Sequence, residues 1–281
     1  MSSPLESKAF LSILSWPSRF THHDRVEALV ASAGMDPEQA NIEAKIEPPT
    51  VVATVDAIIA DEILRVLHNL GVLALAPSED EMALYPDPEP IKRVARYPAT
   101  NPTAFAADDN DEPAWTFTTN DIRLVVSGTA RYTEIKTDAK RRSLGHHRFG
   151  SAASNMASSL TSGVKITKTE RTRTKEIMDI HLFMNGKPRL LRLTGQRTLI
   201  RSLEELDDRP SLLAPPDPIE LLEPHIPGVR IDRGFQSFHP PAKIRIRSGS
   251  SRHGAKKRTP EAFGFYSIWL AINDRMMRGE G

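Results

Sequence analysis

Residues 50–76, TVVATVDAIIADEILRVLHNLGVLALA, decide the fold of the first quarter of the chain. They spell a short strand, a capped helix, a glycine stop and a second strand. Asp56 stands where an N-cap belongs, because a carboxylate there accepts from the orphan N–H groups of the first helical turn. Ile59, Ile63, Val66, Leu67 and Leu70 recur at three- and four-residue spacing and make one apolar stripe. Asp61, Glu62, Arg65 and His68 fall largely off it. Gly71 follows at the position where helices end in a left-handed residue. The apolar run 72–76, ended by Pro77, reads as a covered strand.

Working outward toward the N-terminus, residues 9–16, AFLSILSW, read as a strand with apolar residues on both faces. Val26, Leu29 and Val30 give a short helical stripe, with Thr21 or Asp24 as its cap and Gly34 as its stop. Asp36-Pro37-Glu38 starts another helix, with Asp as N-cap, Pro at the first helical position and an acidic first turn. Its apolar positions are Ala40, Ile42, Ala44 and Ile46, and Pro48-Pro49 ends it. The order strand, helix, helix, strand, helix, strand predicts one three-stranded sheet with helices on one face.

The run Ala33-Gly34-Met35-Asp36-Pro37-Glu38-Gln39-Ala40, then Pro49-Thr50-Val51-Val52, then a helix ending Leu70-Gly71 before Val72, carries a resemblance. Residues 9–76 resemble the C-terminal domain of the bacterial ribosomal stalk protein and the related adaptor fold of the ClpS type. The resemblance implies a small interaction module. The lysine-rich helix faces of the stalk domain are absent here, so binding of translation factors is not implied. No residues match a ClpS-type peptide pocket one by one.

Residues 77–113 have the composition of a linker, with six prolines from Pro86 to Pro113 and the acidic clusters Glu79-Asp80-Glu81 and Asp108-Asp109-Asn110-Asp111-Glu112. Scattered apolar residues do not offset the ~1–2 kcal/mol per residue that ordering costs. Residues 91–97, IKRVARY, are the exception that could dock on a domain. The acidic runs lack the ligand spacing and glycine of a calcium loop.

Residues 114–281 read as β-rich. Residues 115–118 and 122–126 are strand-like about Asn120-Asp121, and 130–136 alternates. Residues 145–163, rich in Ser, Gly and Ala, read as a mobile loop, and 164–173, VKITKTERTR, as an edge strand. Asn185-Gly186 suits the tight turn of a hairpin between 177–184 and 189–193; the stretch IHLFMNGKPRLLRL is similar to a strand pair in uncharacterised bacterial proteins. Residues 199–206 read as a short helix, 211–228 as Pro-rich connection, and 242–247, AKIRIR, as a strand. A helix over 260–278, capped by Thr259 with Pro260 first, would close one end of a PH-like or small barrel.

At 281 residues and without cysteine, the chain has no disulfide, thiolate or Cys-metal chemistry and suits a reducing compartment. No run approaches the roughly 20 apolar residues of a membrane helix, and the N-terminus lacks a signal-peptide pattern; the expectation is a cytoplasmic protein. Residues 1–113 hold 8 Lys+Arg against 19 Asp+Glu, a net of −11; residues 114–281 hold 29 against 17, a net of +12. Adjacent histidines such as His22-His23 and His146-His147 diverge rather than converge on a metal, and no nucleophile elbow, phosphate loop or dinucleotide fingerprint occurs. No cofactor or metal is expected, and no catalytic residue stands out.

The basic segments are the remaining signal. They hold Arg141 and Arg142; Lys165, Lys168, Arg171 and Arg173; and Lys243, Arg245, Arg247, Lys256, Lys257 and Arg258. Guanidinium groups suit phosphate through paired bonds of fixed geometry, so these residues are the candidate anion-binding set for nucleic acid or lipid headgroups. Edge-strand protection by lysine and arginine accounts for them equally simply and is the favoured reading. The sequence thus predicts an α+β protein with an interaction module at 1–76, an acidic linker at 77–113 and a basic β-rich domain at 114–281. The expected role is non-enzymatic protein–protein interaction or scaffolding. An anionic-surface binder and an unrecognised enzyme are the alternatives.

Overall fold

A computed structural model describes residues 7–96, 103–108, 113–141, 164–195, 200–202, 219, 222–239 and 259–279. The chain divides into two compact units. One comprises residues 1–130 and 175–281, the other residues 131–174.

The N-terminal elements come in the expected order: β1 (Lys8–Ser15), α1 (His22–Ala33), α2 (Pro37–Glu43), β2 (Thr50–Asp56), α3 (Ala57–Asn69) and β3 (Leu73–Leu75). The three strands form a sheet in the order β2-β1-β3, antiparallel throughout. Thr21 caps α1 in a reciprocal box with Asp24, and Asp36 caps α2 by accepting from the N–H groups of Glu38 and Gln39. Gly34 (φ 60°) and Gly71 (φ 82°) take the left-handed conformation that ends α1 and α3. Asp56 holds the N-cap position of α3 but makes no capping bond; its carboxylate pairs with Lys8 across the strands.

Two expectations about this region need correction. The buried stripe of α3 is Ala60, Ile63 and Leu67, while Ile58 and Ile59 are exposed; on α2 and its C-cap, Ala40 and Ala44 are buried and Ile42 is exposed. Ala40, Ala44, Ile63 and Leu67 pack in one core with Leu11 and Ile13 of β1. The run 72–76 alternates, with Val72 and Ala74 buried and Leu73 exposed, as an edge strand does.

Residues 77–113 are not a bare linker. They form α4 (Glu79–Leu84), capped by Ser78 and Glu81, then β4 (Glu89–Ile91), β5 (Arg93–Arg96), β6 (Ala104–Asp108) and, from Pro113, β7 (Pro113–Thr118). Ile91, Val94, Phe105 and Ala107 are buried, and Phe105 stacks on its cross-strand partner Phe117 at 5.5 Å. These four buried apolar side chains, at about 1.5–3 kcal/mol each for the larger ones, offset part of the ordering cost that composition alone set against this segment.

The remaining strands are β8 (Ile122–Arg141), β9 (Val164–Met184), β10 (Lys187–Thr194), β11 (Ile200–Ser202) and β12 (Arg230–Asp232). They complete a five-stranded sheet, β12-β8-β9-β10-β4, and a four-stranded sheet, β11-β5-β6-β7. Asn185 (φ 51°) and Gly186 (φ 76°) turn β9 into β10 as predicted. Ile200–Ser202 is a strand parallel to β5, not part of a helix. Side chains from both sheets, Val94 and Phe117 from one and Val125, Ile180, Leu182 and Leu191 from the other, meet in one core. Within the unit 131–174, the described residues are the strand stretches 131–141 and 164–174.

The final helix, α5 (Pro260–Met277), is capped by Thr259, whose hydroxyl accepts from the Ala262 N–H. It is buried nearly all round, from Ala262 to Asp274. Alternation along β1 explains part of this. Leu11 and Ile13 face α1 and α3, whereas Phe10 meets Phe265 edge-on at 4.9 Å and Ser12 meets Trp269. The N-terminal sheet therefore has α1–α3 on one face and α5 on the other. Its two faces are both covered, where the sequence led to helices on one face alone. The other side of α5 lies against β9 and β12 of the five-stranded sheet. No helix among the described residues is long and apolar enough to cross a membrane.

Candidate functional site

The polar side chains with chemical potential converge where α5 meets the five-stranded sheet. Along β9, Met178, Ile180 and Leu182 enter the core between the two large sheets. Asp179 and His181 stand on the opposite face, two residues apart, as the strand period dictates. Arg192 is the direct cross-strand partner of Asp179 and grips its carboxylate through Nε and Nη2, both at 2.7 Å. Asp179 is fully buried, and the Arg192 guanidinium also lies 5.5 Å from the ring centre of Phe263. A fork-to-fork pair of this kind satisfies both partners inside the protein.

His181 bridges Tyr85 and Ser267, each at 2.8 Å, through Nδ1 and Nε2. Burial pushes its pKa down to about 4; the Asp179 charge pulls the other way and Arg192 adds to the fall. The ring is neutral near pH 7, with one donor and one acceptor nitrogen, so the two bonds run in one direction along Tyr85, His181 and Ser267. Burial also raises the Tyr85 hydroxyl above its ordinary value, with Asp179 adding to the rise, which keeps it protonated.

A second anchor lies one face further round α5. Tyr266 donates to Asp232 Oδ1 at 2.5 Å, and the same oxygen accepts the Gly234 N–H at 2.9 Å. Burial first, then the Asp232 charge, raises the Tyr266 pKa. A Cβ at position 234 would stand 2.6 Å from the Tyr266 hydroxyl and would displace it from Asp232.

Ser, His and Asp are all present, but their arrangement is not that of a nucleophilic triad. Nδ1 of His181 goes to Tyr85, Asp179 is held by Arg192, and Ser267 is fully buried, out of reach of a substrate. What this network does is fix α5 in register against β9 and β12.

Beside it lies a cavity of about 40 Å³ lined by Tyr85, Arg123, Phe183, Asp274, Arg275 and Arg278, among others. Arg123 comes from β8 and lies 5.5 Å from the ring centre of Phe183; Arg275 and Arg278 come from the end of α5. Asp274 accepts from Arg278 Nε at 2.9 Å and lies 3.8 Å from Arg230. The Nε atoms of Arg123 and Arg275 are buried without a hydrogen-bond partner, and neither residue has a carboxylate within 4.0 Å among the described residues.

Of the basic residues singled out in the sequence, Arg141 ends β8, and Lys165, Lys168, Arg171 and Arg173 lie on β9. Arg173 is exposed. Register with β10 covers Ile177–Met184 only, short of that basic stretch. Arg142, Lys243, Arg245, Arg247, Lys256, Lys257 and Arg258 lie outside the described residues, as do the loop 145–163 and the strand expected at 242–247. Sequence reasoning missed Asp179, His181, Arg192 and the three arginines of the cavity. The signal for the first two is a polar period of two, Asp179 and His181, inside a strand stretch, 177–184, whose other positions are apolar. No protein-family model, curated protein or solved structure matches the chain.

Proposed function

We propose that the chain is a non-enzymatic protein-binding protein whose partner adds an extended segment along the outer edge of β2. The observation that carries the reading is the character of that edge. β2 ends its sheet, and no strand among the described residues pairs with its outer side. It is seven residues long, TVVATVD, and holds no lysine, arginine or proline. Unprotected edges present a row of free N–H and C=O groups that template pairing with another chain. The resemblance of residues 9–76 to a stalk-like or ClpS-like adaptor module supports an interaction role. The absence of cysteine supports placement in the cytoplasm.

Proline replacement at Thr54 and Val55 tests this. Successive N–H groups of an antiparallel strand point to opposite sides, so one of the two faces outward. Its loss leaves the β1 pairing whole. Panning a random-peptide display library against the full chain is expected to enrich β-rich peptides that the outward-facing proline variant no longer binds while keeping its circular dichroism. Enrichment that is equal on the wild type and on both proline variants rules the reading out.

A further inference from the structure

We propose that Arg123, Arg275 and Arg278 form a binding site for a small oxyanion, a carboxylate or phosphate group, between β8 and the end of α5. This is separate from the basic segments of the sequence and from the β2 edge.

The argument begins with charge. The cavity is lined by three guanidinium groups and one carboxylate, Asp274. Asp274 is already engaged by Arg278 at 2.9 Å and faces Arg230 at 3.8 Å. Arg123 and Arg275 remain without a counter-charge among the described residues, and their Nε atoms are enclosed with no acceptor. A guanidinium keeps its charge throughout the physiological range, so it cannot relieve its burial by losing a proton. Both side chains are only partly buried, but an enclosed Nε–H without an acceptor is unfavourable unless one is supplied. The C-terminal end of α5 supplies some relief, about half a negative charge from its unpaired carbonyls. Against a net formal charge of two, that leaves most of the excess standing.

Geometry and size set the ligand class. The guanidinium of Arg123 is steadied against the Phe183 ring, and Arg275 and Arg278 sit three residues apart on one helix side. Several N–H donors converging on one space suit an oxygen-bearing anion, which accepts paired bonds from each fork. A volume of about 40 Å³ holds roughly three water-sized groups, which fits one carboxylate or phosphate group. The neutral Tyr85 hydroxyl adds one further polar group to the wall.

Calorimetric titration of the full chain tests the site, with inorganic phosphate and acetate as separate probes and chloride at matched ionic strength as control. Saturable binding of phosphate alone assigns a phosphate group, and of acetate alone a carboxylate. Arg123→Gln and Arg275→Gln should each weaken that binding by roughly 10- to 100-fold, the loss of one charge-assisted contact. Without ligand, Arg275→Gln should melt no lower than the wild type, since it removes an uncompensated charge. Should that variant fail to fold, Arg123→Gln carries the same comparison. Heat no greater than chloride for both anions overturns the proposal, and so does binding that is unchanged in both variants.

Discussion

Trp269 donates its indole N–H to Ser12 Oγ at 2.7 Å, joining β1 to α5 across 257 positions of sequence. Both groups are buried, and the Ser12 hydroxyl in turn donates to the Phe10 carbonyl at 2.8 Å. Ser12→Ala would leave the Trp269 N–H enclosed and unpaired, at a cost of about 1–3 kcal/mol. Denaturant unfolding should show that loss in one transition, because the N-terminal sheet and α5 stabilise each other. Two separate transitions, with only one of them shifted, would show instead that residues 1–76 fold alone.

Ile59 and Ile63 separate the two accounts of α3. Ile63 is 4% exposed and Ile59 is 46% exposed. Ile63→Ala should cost about 2–5 kcal/mol, as large-to-small changes in a core do. Ile59→Ala should stay within about 0.5 kcal/mol of the wild type. Equal losses in the urea midpoint would restore Ile59 to the buried stripe.

The elements of the first 76 residues were legible because each is local: Thr21, Asp36, Gly34 and Gly71 cap or stop helices through bonds to their own neighbours. The Asn185-Gly186 hairpin was legible for the same reason. What escaped was long-range. Ile59 and Ala60 are equally compatible with helical spacing, and only the tertiary seating of the helix decides which of them is buried. Phe105 looked isolated among prolines and acids until its strand paired with the one that carries Phe117. The three arginines of the cavity are 152 and 155 positions apart in sequence between β8 and α5, so no spacing rule connects them.

Gly128 on β8 is a further position that only the tertiary structure explains. A Cβ there would stand 2.7 Å from the ring of Phe235, itself 1% exposed. Phe235 also packs edge-on against Phe263 at 5.0 Å, so it has little room to retreat. Gly128→Ala should cost about 1–3 kcal/mol by overpacking. Pairing it with Phe235→Leu should recover part of that loss, and a double variant no better than the sum of the two singles would argue against the contact.

His181 makes stability fall on the acid side. Its folded pKa is near 4 and an unfolded histidine titrates near 6.5. Between these values the unfolded chain holds more protons, so stability drops as the pH falls from about 6.5 toward 4, by at most about 1.4 kcal/mol per pH unit. Above 6.5 the contribution is flat. His181→Gln retains a donor and an acceptor for Tyr85 and Ser267 but has no titrating group. The urea midpoint of the wild type should therefore fall more steeply between pH 6.5 and 4.5 than that of the variant. Equal slopes would mean that the ring is solvated, not sealed beneath α5.

The Asp179–Arg192 pair tests whether this buried network stabilises the fold or specifies it. Asp179→Asn keeps the shape but removes the carboxylate that the largely buried Arg192 grips, and should cost about 3–5 kcal/mol. Arg192→Met leaves the fully buried Asp179 exposed to the same penalty in reverse. Removing both charges, as Asp179→Leu with Arg192→Met, replaces a desolvated ion pair by apolar contact with Phe263. That double variant should be far more stable than either charge-stranding single, because the isolated charge and not the lost pair dominates each single cost. If it is nevertheless as unstable as the singles, the ion pair itself holds β9, β10 and α5 in register. If it is stable but α5 loses its protection from hydrogen exchange, the pair specifies the seating of the helix at little net gain in free energy.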